Sequence, residues 1–497
     1  MTKEEALTYY DEWQQKYNAY ALLLSTASFD AETIAPPAGS NARNEALSFL
    51  YGEMHDIETD PKILEVLEVL KDSEDPVLAR RVALDRRSLL ATACLSKEEV
   101  TAFSREQLDA FDDWQIAKHE KDYARFEPHL LKLIEFSKTF AKKREPEKDP
   151  YEVYLDDYEE GMTRKDYDEF FELIRKEISP LVKAVAAKDG FIDDSFLHRY
   201  YDKERQAKFG KAINEFMAFD PSWGYMGVSE HPFTDGLSLN DVRITTAYEE
   251  HDVSQSLYSI VHETGHAYFE HQVSAEYAGT SLHRAISSGM HESQSRFLEN
   301  YIGRRESFLQ NLYPTLQELY PQELKDIGLH EFWKAVNVSR PSLIRTAADE
   351  LTYPLHILIR YEIEKMIFDG TADLQQLNTL WNRKYKEYLG IEVPDDGVGI
   401  LQDVHWSGAS FGYFPTYALG SAIGAQLLTA MEKDLDIDAL LQEGKFTAVT
   451  DWLKEHFQKH GARYTFKEAV KLATGEEFSP HYYIDYLKKK YTALYEL

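Results

Sequence analysis

Cysteine is almost missing from this 497-residue chain: Cys94 stands alone, so no intramolecular disulfide can form and no cysteine-based metal cluster can be built. A reducing compartment fits that usage, and the cytoplasm is the expected location. Basic side chains are also in deficit, with 55 Lys and Arg against 86 Asp and Glu and a formal net charge of -31. Such a charge repels phosphate backbones, so neither nucleic acid nor an anionic membrane is an expected partner. Long apolar runs are lacking too. The stretch Met1 to Glu12 contains no apolar leader core, and no window approaches the ~20 apolar residues of a membrane helix. Neither a signal peptide nor a membrane span is expected.

Glycine is scarce at the N-terminal end, where only Gly39 and Gly52 fall in the first 150 residues, and no proline lies between Pro76 and Pro128. That favours long helices over hairpins. Val82 to Arg144 reads as one or two long amphipathic helices, with Leu108, Phe111 and Trp114 on a core-facing stripe. Ala35–Gly39, Glu159–Thr163 and Asp220–Gly224 read as turns or caps. Only Gly227–Thr246 reads as extended, as a small sheet or edge hairpin reached through Asp235-Gly236. Helical patterning then resumes almost to Leu497, broken by the loop around Pro394–Gly397. With 43% hydrophobic residues the chain can bury a large core, and it shows no repeat or low-complexity linker. The expected fold class is all-α: a single helical body over residues 1–497 with a very small β-sheet.

The chemistry sits in His262-Glu263-Thr264-Gly265-His266. Two histidines four apart stack on one helical face and can share one ion, while the glutamate between them can take a proton from water at the open coordination position. Uncharged Val261, Thr264, Gly265 and Ala267 suit a buried helix. A catalytic zinc needs a third protein ligand. The metzincin pattern would require glycine and histidine where Phe269 and Gln272 stand, so a glutamate is sought among Glu270, Glu276, Glu292 and Glu299. Glu292 is best placed, because Ser287-Ser288-Gly289 can cap a helix whose first turns present it. Glu270, one turn beyond His266, lies far along the axis to share an ion with His262. His291 is the weaker competitor.

HETGH followed by His291-Glu292-Ser293-Gln294 resembles the carboxypeptidase Taq family of metallocarboxypeptidases. Similar to that family's motifs, in order, are His231-Pro232-Phe233, Asp241-Val242-Arg243-Ile244-Thr245, Ile344-Arg345-Thr346-Ala347-Ala348-Asp349, and Gly399-Ile400-Leu401-Gln402-Asp403-Val404-His405-Trp406. The Pro36-Pro37 turn and Tyr158-Glu159-Glu160-Gly161-Met162-Thr163 also fit, although Ala38 replaces the usual glycine. The resemblance covers nearly the whole chain. It implies an all-helical fold with a deep central groove, walled on one side by helices within about residues 1–200, and a homodimer. It also implies one zinc or cobalt ion per chain and stepwise, broad-specificity removal of residues from peptides with a free C-terminus.

Within that frame, Arg345 is the first choice to bind the substrate carboxylate, since a guanidinium offers a planar fork. The alternative for Arg345 is a helical ion pair with Asp349, four residues on. Arg243 is read as structural or at the groove floor, and His231 as near the substrate. His405, Tyr413 and Tyr417 have the spacing of a histidine and tyrosines in related glutamate-zincins. Tyr417 is the favoured oxyanion donor, although most of the 32 tyrosines merely cover the core. Two rival functions remain: an oligoendopeptidase or dipeptidyl carboxypeptidase with the same metal chemistry, and a non-catalytic scaffold with a degenerate site. An intact Glu263 argues against the scaffold, which has no use for a base beside an open coordination position.

Overall fold

The computed structural model describes residues 1–497, apart from the side chains of residues 92 and 93. Twenty α-helices and a three-stranded sheet make up its regular structure among the described residues. The Val82–Arg144 region holds three helices, Pro76–Ala93, Lys97–Glu120 and Tyr123–Arg144, instead of one or two. Ser96 starts the second with a capping box to Glu99, and Lys121 ends it in the left-handed conformation. The stripe on that helix is narrower than its spacing suggests. Trp114 is buried and donates to the Leu401 carbonyl at 3.0 Å, whereas Leu108 and Phe111 are 68% and 39% exposed.

One continuous apolar core runs from Leu84 to Tyr495. A smaller cluster, including Tyr10, Trp13, Ile63, Leu67 and Val82, joins the helices Lys3–Thr33, Pro61–Leu70 and Pro76–Ala93. These N-terminal helices line a cavity of about 1230 Å³, together with residues from Gly236–Leu239 and Ala278–Arg284. None of the described helices is long and apolar enough to cross a membrane.

The sheet consists of β1 (Gly224–Val228), β2 (Thr234–Ser238) and β3 (Asp241–Thr246). β3 is central, parallel to β1 and antiparallel to β2. Asp235-Gly236 therefore lies inside a strand and is not a turn. A Cβ on Gly236 would come within 2.7 Å of the Glu270 carboxylate, so the Glu270 side chain of the helix Val253–Gln272 occupies the space that glycine leaves open.

Candidate metal centre

Val253–Gln272 carries HETGH, and Ser288–Arg296 carries Glu292. Ser287 caps the second helix, its hydroxyl accepting from the Met290 N–H at 3.0 Å. The two backbones touch at Gly265, where a Cβ would sit 2.5 Å from the Gln294 carbonyl oxygen and 2.6 Å from Ser295 Cα. On its other side, the Glu292 helix meets the helix Pro415–Asp434 at Gly420, where a Cβ would lie 3.0 Å from Glu292 Cβ. Glycines thus let three helices approach closely enough to bring Glu292 beside the histidines. Gly265→Ala is expected to cost at least ~1–3 kcal/mol through overpacking. An unchanged denaturation midpoint would contradict this account of the packing.

Glu292 Oε2 lies 3.6 Å from His262 Nε2 and 3.5 Å from His266 Nε2. One ligand atom from each of the three residues falls within 4.8 Å of the others. Donors around a tetrahedral zinc at ~2.0–2.1 Å are separated by ~3.4 Å, so this triangle fits such an ion. Glu299 does not join the triangle: its carboxylate is 2.8 Å from His262 Nδ1, where it can hold the ring with Nε2 turned inward. Arg296 braces both carboxylates, at 2.8 Å from Glu292 and 3.0 Å from Glu299. Glu270 is engaged elsewhere, 2.8 Å from His291 Nε2, and Glu276 is exposed in the turn Ala275–Tyr277. His291 stacks on His266 with centroids 4.3 Å apart.

Burial, reinforced by His291, pushes the His266 imidazole down to about 3, which keeps it neutral with a lone pair to donate. Burial raises the Glu292 carboxyl, but Arg296 and the two histidines outweigh it and hold it well below the usual carboxylate range. Burial likewise opposes charge on His262, yet Glu292 and Glu299 raise its pKa, so a cation at this site competes with a proton. Glu263 is 6% exposed, and burial raises its carboxyl. Thr234 of β2 donates to Glu263 Oε2 at 2.6 Å and aims it, giving the small sheet a direct part in the site.

His266 and Glu292 open onto a cavity of about 720 Å³ lined also by Glu270, His291, Tyr413 and Tyr417, whereas His262, Glu263 and Arg345 lie behind its lining. Tyr417 packs edge-on against Tyr413, and its hydroxyl is 3.2 Å from His405 Nε2. Beneath it lies Arg345, 5% exposed, with its guanidinium carbon 4.7 Å from the Tyr417 ring centroid. Arg345 pairs with Asp403 at 2.8 Å and reaches the Tyr353 hydroxyl at 3.1 Å. Asp403 in turn pairs with Arg360, which is fully buried.

The family model for the carboxypeptidase Taq (M32) metallopeptidases matches residues 9–491. The chain belongs to that family. It is a metallocarboxypeptidase, a metal-dependent peptide hydrolase. It is 39% identical over 487 residues to carboxypeptidase 1 of Bacillus subtilis, covering 97% of each chain. It is 34% identical to thermostable carboxypeptidase 1 of Thermus thermophilus, covering 100% of each. A crystal structure of the M32 carboxypeptidase from Deinococcus radiodurans superposes with a TM-score of 0.95 at 32% identity, covering 99% of this chain and 100% of that one. The all-α class follows from the same match.

Several residues of this carboxypeptidase lie away from where their spacing suggested. Asp349 is not the ion-pair partner of Arg345, because it accepts from the Arg340 N–H and the Thr352 hydroxyl. His405 does not line the 720 Å³ cavity but stands behind Tyr417, where burial pushes its imidazole down to about 4. His231 is exposed in the connection between β1 and β2, its carbonyl accepting from the Ser229 hydroxyl, and it lines neither cavity. Arg243, by contrast, read as structural or at the groove floor, takes a structural place outside both cavities, paired with Asp241 at 2.8 Å and set over the Phe29 ring. Thr234 and Asp403 went unassigned in the sequence reading. Thr234 directly follows His231-Pro232-Phe233, and Asp403 stands inside the motif Gly399–Trp406, so motif membership or adjacency is the available signal.

Proposed function

We propose that this carboxypeptidase removes residues one at a time from peptide C-termini, with broad side-chain tolerance, at one zinc ion held by His262, His266 and Glu292. The observation carrying this reading is the donor triangle, with Glu263 beside it and the cavity in front. Cobalt would suit the same two imidazoles and one carboxylate. A divalent ion held by His262, His266 and Glu292 would act as a Lewis acid, activating water for attack and polarising the scissile carbonyl. Glu263 then accepts the proton of the attacking water and passes it to the leaving amine. Tyr417 directs its hydroxyl at the developing oxyanion, with His405 behind it to orient the O–H. Tyr413 shapes the wall beside it.

Arg345 receives the substrate's terminal carboxylate. Its contacts with Asp403 and Tyr353 leave an N–H on each terminal nitrogen for a two-pronged grip, and Asp403 keeps the fork from turning. Amidated peptides should therefore be poor substrates. If Arg345→Ala cleaves free-acid and amidated peptides in the parent's ratio, carboxylate binding belongs to another group. Glu299 steadies His262, so Glu299→Gln should weaken zinc binding by ~10- to 100-fold in a competition titration with a chelator. Unchanged affinity would leave Glu299 with no part in holding the ring.

We also infer a cytoplasmic homodimer acting as one unit over residues 1–497. The single cysteine supports the location and the family resemblance the dimer, and the match of one family model over residues 9–491 supports the single unit. The activity is tested by digesting mixed peptides and reading the products by mass spectrometry. Ladders shortened one residue at a time from the C-terminus are expected, whereas internal fragments would favour an oligoendopeptidase.

A further inference from the structure

The segment from Val404 to Phe414 carries His405 and Tyr413 and leads into the helix of Tyr417, yet it is mostly irregular. It holds one short 3₁₀ turn, His405–Gly408, followed by Ala409 at φ 56° and Gly412 at φ 84°. Gly412 passes so close to a neighbouring helix, Pro150–Tyr158, that a Cβ would lie 2.8 Å from the Tyr154 carbonyl carbon. Such a stretch needs anchors from outside itself, and one side chain supplies two of them.

Glu364 is fully buried on the helix Tyr353–Asp369 and has no Lys or Arg within ion-pair distance among the described residues. Its Oε1 accepts from Trp406 Nε1 at 2.8 Å, and its Oε2 accepts from the Gly412 N–H at 2.9 Å and the Tyr151 hydroxyl at 2.9 Å. Trp406 is the residue after His405, and Gly412 is the residue before Tyr413. One carboxylate thus ties down both ends of the irregular stretch. Burial pushes this carboxyl up to about 7, against the pull of its three donors. Arg360, one turn away on the same helix, also favours the charged form but makes no ion pair with it, so the carboxylate's direct partners are the three donors it holds.

We propose that Glu364 is a positioning residue for the reaction: by pinning Trp406 and Gly412 it fixes the His405–Tyr417 pair and sets where the Tyr417 hydroxyl points. This rests on the reading of Tyr417 as the oxyanion donor. A glutamine cannot replace the carboxylate, because its NH2 would confront either the Trp406 N–H or the Gly412 N–H, and one anchor would be lost. A misplacement of about 1 Å can cost ~10²-fold in rate.

The test is a double-mutant cycle on the full-length, metal-loaded enzyme with Glu364→Gln, Tyr417→Phe and the pair together. Glu364→Gln should lower kcat by ~10- to 100-fold with KM and metal content close to the parent's. The pair should be within about twofold of Tyr417→Phe alone, because both changes remove one function. Losses that simply multiply, or a parent-like kcat in Glu364→Gln, would overturn the proposal. A parent-like Tyr417→Phe would instead remove the oxyanion reading, and with it the route through that hydroxyl. Should Glu364→Gln fail to fold, Trp406→Phe deletes one anchor alone and should lower kcat with KM and metal content close to the parent's; a parent-like kcat in Trp406→Phe would overturn the proposal.

Discussion

Glu263→Gln should leave a folded, metal-loaded carboxypeptidase whose kcat is at least ~10²-fold below the parent's. The substitution keeps the size of the side chain and its ability to accept from Thr234, which holds the carboxylate at 2.6 Å, while removing its basicity. The ion alone lowers the pKa of a coordinated water toward ~7, but a positioned carboxylate typically adds ~10² to 10⁴ in rate by moving the proton. Burial raises the Glu263 carboxyl, and a cation held by the neighbouring histidines would pull it back down. Metal content and KM should change little, because Glu263 lies outside the donor triangle. A metal-loaded glutamine variant with near-parent turnover would assign proton transfer to another group; His291, which lines the 720 Å³ cavity with His266 and Glu292, would be next in line.

Glu292→Ala should strip most of the metal from purified protein. It removes one of only three protein donors, so the loss of affinity should exceed the ~10- to 100-fold expected for a residue that merely supports a ligand. It also removes the carboxylate that Arg296 holds at 2.8 Å, leaving Glu299 to neutralise that half-buried guanidinium. Metal per chain, measured after dialysis of parent and variant side by side, decides the matter. Full retention would point to Glu270 or His291 as the third donor.

Much of the helical body was readable in the sequence because scarce glycine and 3.6-residue patterning are local signals, and Ser287 was recognisable as a cap from its neighbours. The helix breaks at Ser96 and Lys121 were missed because one depends on a capping box and the other on a left-handed residue that is not glycine. The parallel pairing of β1 with β3 was invisible, since register across a long connection leaves no periodic mark. The nearness of Glu292 to the histidines depends on Gly265 and Gly420, whose value appears only when three helices are set side by side. Glu299 is recognisable from the sequence as a carboxylate in reach, but that it faces His262 Nδ1 follows from packing. Arg345 and Asp403 are 58 residues apart, and no spacing rule joins them.

Anomalous scattering at the zinc absorption edge, from crystals of the zinc-loaded parent, bears most directly on the proposed centre. The expected result is one peak per chain at ~2.0–2.2 Å from His262 Nε2, His266 Nε2 and a Glu292 carboxylate oxygen, with Glu263 beside it outside bonding distance. A principal peak at the Glu270–His291 pair, or one bonded to Glu299 in place of Glu292, would contradict it.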